Sequence, residues 1–310
     1  MSGFASNLWA SFSITAPILV VLLLGTLFRR GGLVGETFVE NGNRLLFNVC
    51  MPALLFLATA SNSLSLREDL PLAAFGVGAT FVVVLLLWLV APAIVTREQR
   101  GVFVQSAFRS NMGMIGLALC LNAYGEEVLA RAGLFVAAMI IAYNVLSIII
   151  LTNDRGRVLR NLARNPILLG VLSGLTWQQL QLPLPQLFEL SISYLARMAL
   201  PLALICIGAA LEWNRLRPGR PDILWASGLK MVILPAAITV AAVQVGFRGQ
   251  DLGILFLMVA SPTAMVAFVM ARELAPRNDM TAEVIALTTL VMPVTITLGL
   301  TVLTTLGLMN

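Results

Sequence analysis

The chain has 310 residues, of which 59% are hydrophobic and only 11% charged, and its mean hydropathy is +0.92. A soluble domain carries about 25% charged residues, so this composition cannot cover a water-soluble globule. The net charge of +5 does not signal nucleic-acid binding, because no aromatic interleaving or binding module accompanies the basic residues.

In chain order, the first apolar run, about 7–28, is too long for the h-region of a signal peptide and has no small-residue cleavage site after it, so it reads as a span. Further runs lie at about 37–60, 72–95, 102–123, 130–151, 166–181, 194–211, 224–246, 252–271 and 284–307. The sixth and seventh are short for a bilayer that needs about 20 residues. With both termini outside, the inner connections hold Arg29, Arg30, Arg97, Arg100, Arg155, Arg157, Arg160, Arg164, Arg215, Arg217, Arg220, Arg272 and Arg277. The outer ones hold only Arg67, Arg131 and Arg248, a strong positive-inside bias for a multi-pass protein of the cell membrane. The basic stretch "DRGRVLRNLARN" (154–165) becomes the central cytoplasmic connection, suited to topology and lipid headgroups.

Residues 17–25, "PILVVLLLG", return at 166–174 as "PILLGVLSG". At the same offset Pro52 meets Pro201, Gly113 meets Pro262 and Asn144 meets Pro293. The expected fold is therefore an all-α membrane protein of ten transmembrane helices, built as two five-helix repeats, 1–151 and 166–310, around a short loop at 152–165. Five is odd, so the second repeat enters from the opposite side. Inverted repeats of this kind mark secondary transporters.

Two spans carry breaks at matched places. In the fourth, Ser110, Asn111 and Gly113 interrupt the apolar run with poor helix formers, and Met112 between them is counted with the candidate site. In the ninth, Pro262 lacks an N–H and clashes with the carbonyl of Met258, and Ser261 stands where an N-cap for a new helix would stand. Half-helix N-termini meeting at the midplane would present unpaired N–H groups to a carboxylate, with Asn111, Ser261 and Thr263 as its polar partners. The bland alternative is a kink with Asn111 holding two helices together. Asn144 and Asn48 either line the cavity or join helices.

Histidine is absent, no Asp lies deep in a span, and Glu40 sits within a turn of a span end. No enzyme, metal or cofactor is expected, nor a sodium/proton antiporter of the paired-aspartate kind. Cys50, Cys120 and Cys206 read as small buried apolar residues. Lys230, Arg44 and Arg197 read as snorkelling cations, while Arg109 either snorkels or draws anions inward.

The segments "RRGGLVGETFVENGNRLLFNVCMPALLF" (29–56), "FRSNMGMIGLAL" (108–119), "ALPLALICIGAAL" (199–211), "LKMVILP" (229–235) and "ASPTAMVAFVMARE" (260–273) together resemble the auxin efflux carrier family. That family includes plant PIN-type auxin carriers and bacterial permeases for dicarboxylates such as malate and malonate. The resemblance implies a fold similar to sodium/proton antiporters and bile acid symporters. It implies a scaffold of spans 1, 2, 6 and 7, a transport domain of spans 3–5 and 8–10 with spans 4 and 9 crossed, a homodimer, and elevator-like movement of an organic anion. The family's crossing asparagine, ninth-span proline and fifth-span polar residue fall on Asn111, Pro262 and Asn144. Relatives usually carry a proline where this chain has Ala118, and the long cytoplasmic loop of the plant carriers is missing.

The leading expectation is a secondary transporter of a small carboxylate. The alternatives are a sodium-coupled organic anion symporter of bile-acid-carrier type and a membrane ligand sensor.

Overall fold

The computed structural model describes residues 2–61, 66–151, 165–211, 220–275 and 279–309. Most of the basic stretch 154–165 lies outside them, as do Arg215, Arg217 and Arg277. The described residues are helical, with no strand beyond one isolated bridge.

The first half holds α1 (Ser2–Arg30), α2 (Glu36–Ser61), α3 (Leu66–Val90), α4 (Arg100–Phe108), α5 (Met112–Tyr124) and α6 (Leu129–Leu151). The second holds α7 (Pro166–Gln179), α8 (Gln186–Ala210), α9 (Pro221–Val245), α10 (Gly249–Ala260), α11 (Met265–Leu274) and α12 (Asp279–Thr305). Seven of these, α1, α2, α3, α6, α8, α9 and α12, belong to helices long and apolar enough to cross a membrane. The run at 166–181 folds as the 14-residue α7, whereas the run at 194–211 is the end of the 25-residue α8. The expected fourth and ninth spans are each split in two.

Proline does not by itself decide where a helix stops. Pro17, Pro71, Pro201 and Pro293 all sit inside continuous helices. At Pro262 the chain does leave the helix: Ser261 ends α10 with φ −61° and ψ 147°, the extended conformation that a following proline ring imposes. Three π-helical turns, Leu46–Cys50 in α2, Met112–Gly116 in α5 and Leu229–Ile233 in α9, widen the helices locally.

Every residue of α10 from Leu252 to Ala260 is buried. The outer helices instead expose large apolar side chains, among them Trp9, Leu89, Val240 and Val302, a surface suited to lipid. Cys50, Cys120 and Cys206 are buried, as expected. Charges at the helix ends pair: Arg131 bonds Asp69 at 2.6 Å and Asp251 at 2.7 Å, joining α3, α6 and α10.

The halves meet mainly through α1 against α8 and α2 against α7. Within the membrane two apolar helices gain nothing by leaving lipid, so association depends on close backbone approach at small residues. A Cβ on Gly25 of α1 would lie 2.4 Å from the carbonyl oxygen of Ile205 in α8. A Cβ on Gly174 of α7 would lie 2.0 Å from Thr59 Oγ1 and 2.6 Å from the carbonyl oxygen of Phe56 in α2. Thr26 also donates across the first contact to the carbonyl of Gly208, at 2.8 Å.

Candidate functional site

The two breaks lie side by side. Between α4 and α5, Arg109 is extended (φ −78°, ψ 97°) and Asn111 has φ −82° and ψ 58°. Between α10 and α11, Ser261 and Ala264 are extended. The strands of the break run antiparallel, with Ser110 facing Thr263. The N–H of Asn111 donates to the carbonyl of Pro262 at 2.7 Å, and that of Ala264 to the carbonyl of Arg109 at 2.9 Å. Backbone groups that lose their helical partners in a medium without water are thus satisfied by each other.

Side chains complete the joint. Thr263 Oγ1 donates to the carbonyl of Ser106 at 2.8 Å, and its N–H donates to Thr288 Oγ1 at 3.2 Å. Ser261 Oγ donates to the carbonyl of Met258 at 2.7 Å, so it closes α10 instead of capping the next helix. The new helix starts three residues beyond the proline, at Met265, because Thr263 and Ala264 are engaged in the bridge. On the other side the break covers 109–111, and Gly113 lies in the π turn that opens α5.

Since the bridge as well as the proline holds this break, Pro262→Ala is expected to keep it. The unfolding midpoint in detergent should move by no more than about 3 °C, an effect of about 1 kcal/mol. A marked gain in helical circular dichroism would show that the proline alone makes the break.

A cavity of about 270 Å³ opens beside this joint. Three helix N-termini border it: Met112 and Gly113 of α5, Met265 and Val266 of α11, and Pro166 and Ile167 of α7. First-turn N–H groups lack intrahelical partners and carry the positive end of the helix dipole. At α7 they are already met by Asn165, whose side chain accepts from Ile167 N at 3.0 Å and Leu168 N at 3.3 Å. Those of α5 and α11 face the cavity without such a cap.

Among the described residues, Arg109 is the only charged one in the lining. It is 5% exposed and therefore does not snorkel. Its guanidinium donates to the Tyr143 carbonyl (3.1 Å), Ser147 Oγ (2.7 Å) and Asn144 Oδ1 (2.9 Å), all on α6. No carboxylate lies within ion-pair distance of it among the described residues. Asn144, with its oxygen turned to Arg109, leaves its amide N–H groups for the cavity. Asn111 is 6% exposed, lines the cavity, and its side chain has no hydrogen-bond partner among the described residues. The remaining wall is apolar, with Phe47, Met114, Val136, Met139 and Ile140.

The structure thus brings Arg109, Asn111, Met112, Gly113 and Asn144 to one cavity. Ser261, Pro262 and Thr263 are buried behind it and do not line it. Asn48 is exposed and donates to the Arg44 carbonyl at 2.7 Å within its own helix, so it neither lines the cavity nor joins helices. Asn165 and Tyr143 were not singled out by sequence; the Asn-Pro pair opening the second repeat was the available signal for Asn165.

Lys230 corrects a second expectation. It is 1% exposed, and its ammonium donates to Ser110 Oγ at 2.5 Å and to the Val259 carbonyl at 2.6 Å. Arg44 and Arg197, by contrast, are exposed, as snorkelling requires.

The family model described as "Membrane transport protein" matches residues 11–157 and again 154–300. The chain belongs to this family. An uncharacterized transporter of Methanothermobacter thermautotrophicus is 26% identical over 275 residues, 87% of this chain and 89% of the relative. The uncharacterized transporter MJ1031 of Methanocaldococcus jannaschii is 24% identical over 272 residues, covering 82% and 86%. Auxin efflux carrier component 1 of Arabidopsis thaliana is 30% identical over 146 residues, 45% of this chain but 24% of the plant protein. This member of the auxin efflux carrier family is accordingly a multi-pass membrane transporter and not an enzyme.

Proposed function

We propose that this transporter is a secondary carrier of a small organic anion, a carboxylate, held at the crossing. The observation that carries the reading is Arg109: a buried guanidinium with no acidic partner among the described residues, lining a cavity at the free N-termini of α5 and α11. Charge buried without a counterion is costly, and an anion entering the cavity supplies one. Asn111 and the amide of Asn144 donate to its oxygens, and the N–H groups of Met112 and Gly113 complete the cradle. Ser261, Pro262 and Thr263 act behind this layer by holding the joint, and Asn48 takes no part.

The cavity volume favours a small carboxylate over a bile-acid-sized anion, since ligand pockets span about 300–1,000 Å³ and this one lies at the lower limit. A sodium-coupled symporter of that kind is the weaker reading for the same reason.

The wider proposal is ten spans in two inverted repeats, in the cell membrane with both termini outside, forming a homodimer. Close contacts recur at the offset of the sequence repeat: Gly25 against Ile205 corresponds to Gly174 against Phe56. Ser110 bonds the carbonyl of Val259, 149 residues on, at 3.0 Å, which is where a pseudo-two-fold axis would run. The spans assigned to the scaffold pack on each other through α1–α8 and α2–α7, while α3 packs on α6 and α9 on α10 in the transport group. Elevator-like sliding of the second group past the first would alternate access.

Uptake of malate, malonate, succinate and indole-3-acetate into proteoliposomes tests the reading. Saturable uptake of one of them is expected, and Asn111→Ala should weaken it about tenfold at unchanged folded yield, the effect of one hydrogen bond to a charged group. Binding without uptake would favour a sensor. Loss of yield in step with uptake would make Asn111 a structural residue.

A further inference from the structure

Helix N-termini and Arg109 line the cavity, whereas Lys230, in the π turn Leu229–Ile233 of α9, lies outside that lining and meets the C-terminal end of α10, with Ser110 of the cavity wall between them. In an unbroken helix the Val259 carbonyl would accept from the N–H of Thr263. Here that N–H goes to Thr288 Oγ1, and the freed carbonyl accepts instead from Ser110 Oγ at 3.0 Å and from Lys230 Nζ at 2.6 Å. Lys230 also donates to Ser110 Oγ.

These contacts are of the kind a bound cation makes: a freed carbonyl and a hydroxyl at the negative end of a half-helix dipole. No carboxylate lies within ion-pair distance of Lys230 among the described residues. A neutral side chain could satisfy the same acceptors by hydrogen bonding alone, yet the position holds a lysine amine on a fully buried stem. Carriers with broken helices hold dissolved coupling cations with such half-helix ends and unwound carbonyls.

We propose that the Lys230 ammonium is a tethered cation occupying a cation site at the end of α10, so that the crossing requires no sodium. Removing the side chain opens that site to a small cation from solution. The consequence for transport rests on the carrier reading above; the site itself does not.

The test reads cation binding without any carboxylate. Purified protein is heated in detergent in sodium chloride, methylammonium chloride or choline chloride at equal ionic strength. The wild type is expected to unfold at the same temperature in all three. Lys230→Ala should unfold earlier in choline and recover by about 3 °C or more in sodium or methylammonium, while Lys230→Arg, which keeps the charge, should show no such dependence. A sodium-dependent midpoint in the wild type would overturn the proposal, and so would a Lys230→Ala protein that no cation stabilises. Should Lys230→Ala fail to fold, Lys230→Met retains the apolar stem and serves in its place, with the same outcomes. Uptake by the wild type, of whichever carboxylate moves, should be equal in sodium and choline. Absence of all uptake would count against the carrier reading and leave the unfolding measurement standing.

Discussion

If the proposed carboxylate site is right, Arg109→Met is expected to lower carboxylate uptake about 100-fold or more at sub-saturating substrate. Truncating one partner of a buried charge pair costs about 2–5 kcal/mol, and 100-fold corresponds to about 2.7 kcal/mol. The guanidinium also donates to Tyr143, Ser147 and Asn144, so its loss leaves three acceptors on α6 without their donor. A control is therefore needed that leaves Arg109 in place. Asn144→Asp provides one: it sets a carboxylate where Oδ1 now accepts from Arg109 at 2.9 Å. That internal anion neutralises Arg109 and should abolish uptake as thoroughly while keeping the folded yield. Proteoliposome uptake and size-exclusion profiles of the two variants check this. Wild-type uptake in Asn144→Asp would mean that Arg109 does not meet the substrate.

Gly174→Val is expected to eliminate folded protein. The first added atom would lie 2.0 Å from Thr59 Oγ1 and 2.6 Å from the backbone oxygen of Phe56, and a backbone cannot rotate away as a side-chain tip can. Separating α7 from α2 would also break the contact between Gly170 and Pro52, where a Cβ would lie 2.6 Å from the Pro52 oxygen. The cost should exceed about 3 kcal/mol, a large share of a typical stability. The yield of monodisperse protein after detergent extraction measures it; a normal yield with an unchanged melting point would show that these helices can separate freely.

The helical class, the split of two spans and the approach of the two breaks were legible in the sequence, because Pro262 and the run Ser110–Gly113 are local features with local consequences. Ser261 was misread for a reason that is not local. A serine before a proline suits either helix end, and only the bridge to Ser110 decides that the helix restarts at Met265. Lys230 was misread because depth along a helix says nothing about which side a residue faces, and the π turn around it leaves no mark in composition. Asn48 fails in the opposite sense: it is central in its span yet faces outward, one residue from Phe47, which does line the cavity. Asn111, Arg109 and Asn144 do meet at one cavity, since polar atoms this deep must either pair or face open space.

The contacts at Gly25, Gly174 and Gly208 have a mechanical consequence. At Gly25 and Gly208 main chain rests on main chain, and at Gly174 on main chain and the Thr59 hydroxyl, which leaves few rotamers to exchange between two packings. Such a junction cannot yield by repacking; it is stiff in the way a stator is stiff. A load from a ligand at the proposed site beside Arg109 would then be borne elsewhere, where α1 and α8 pack on α5.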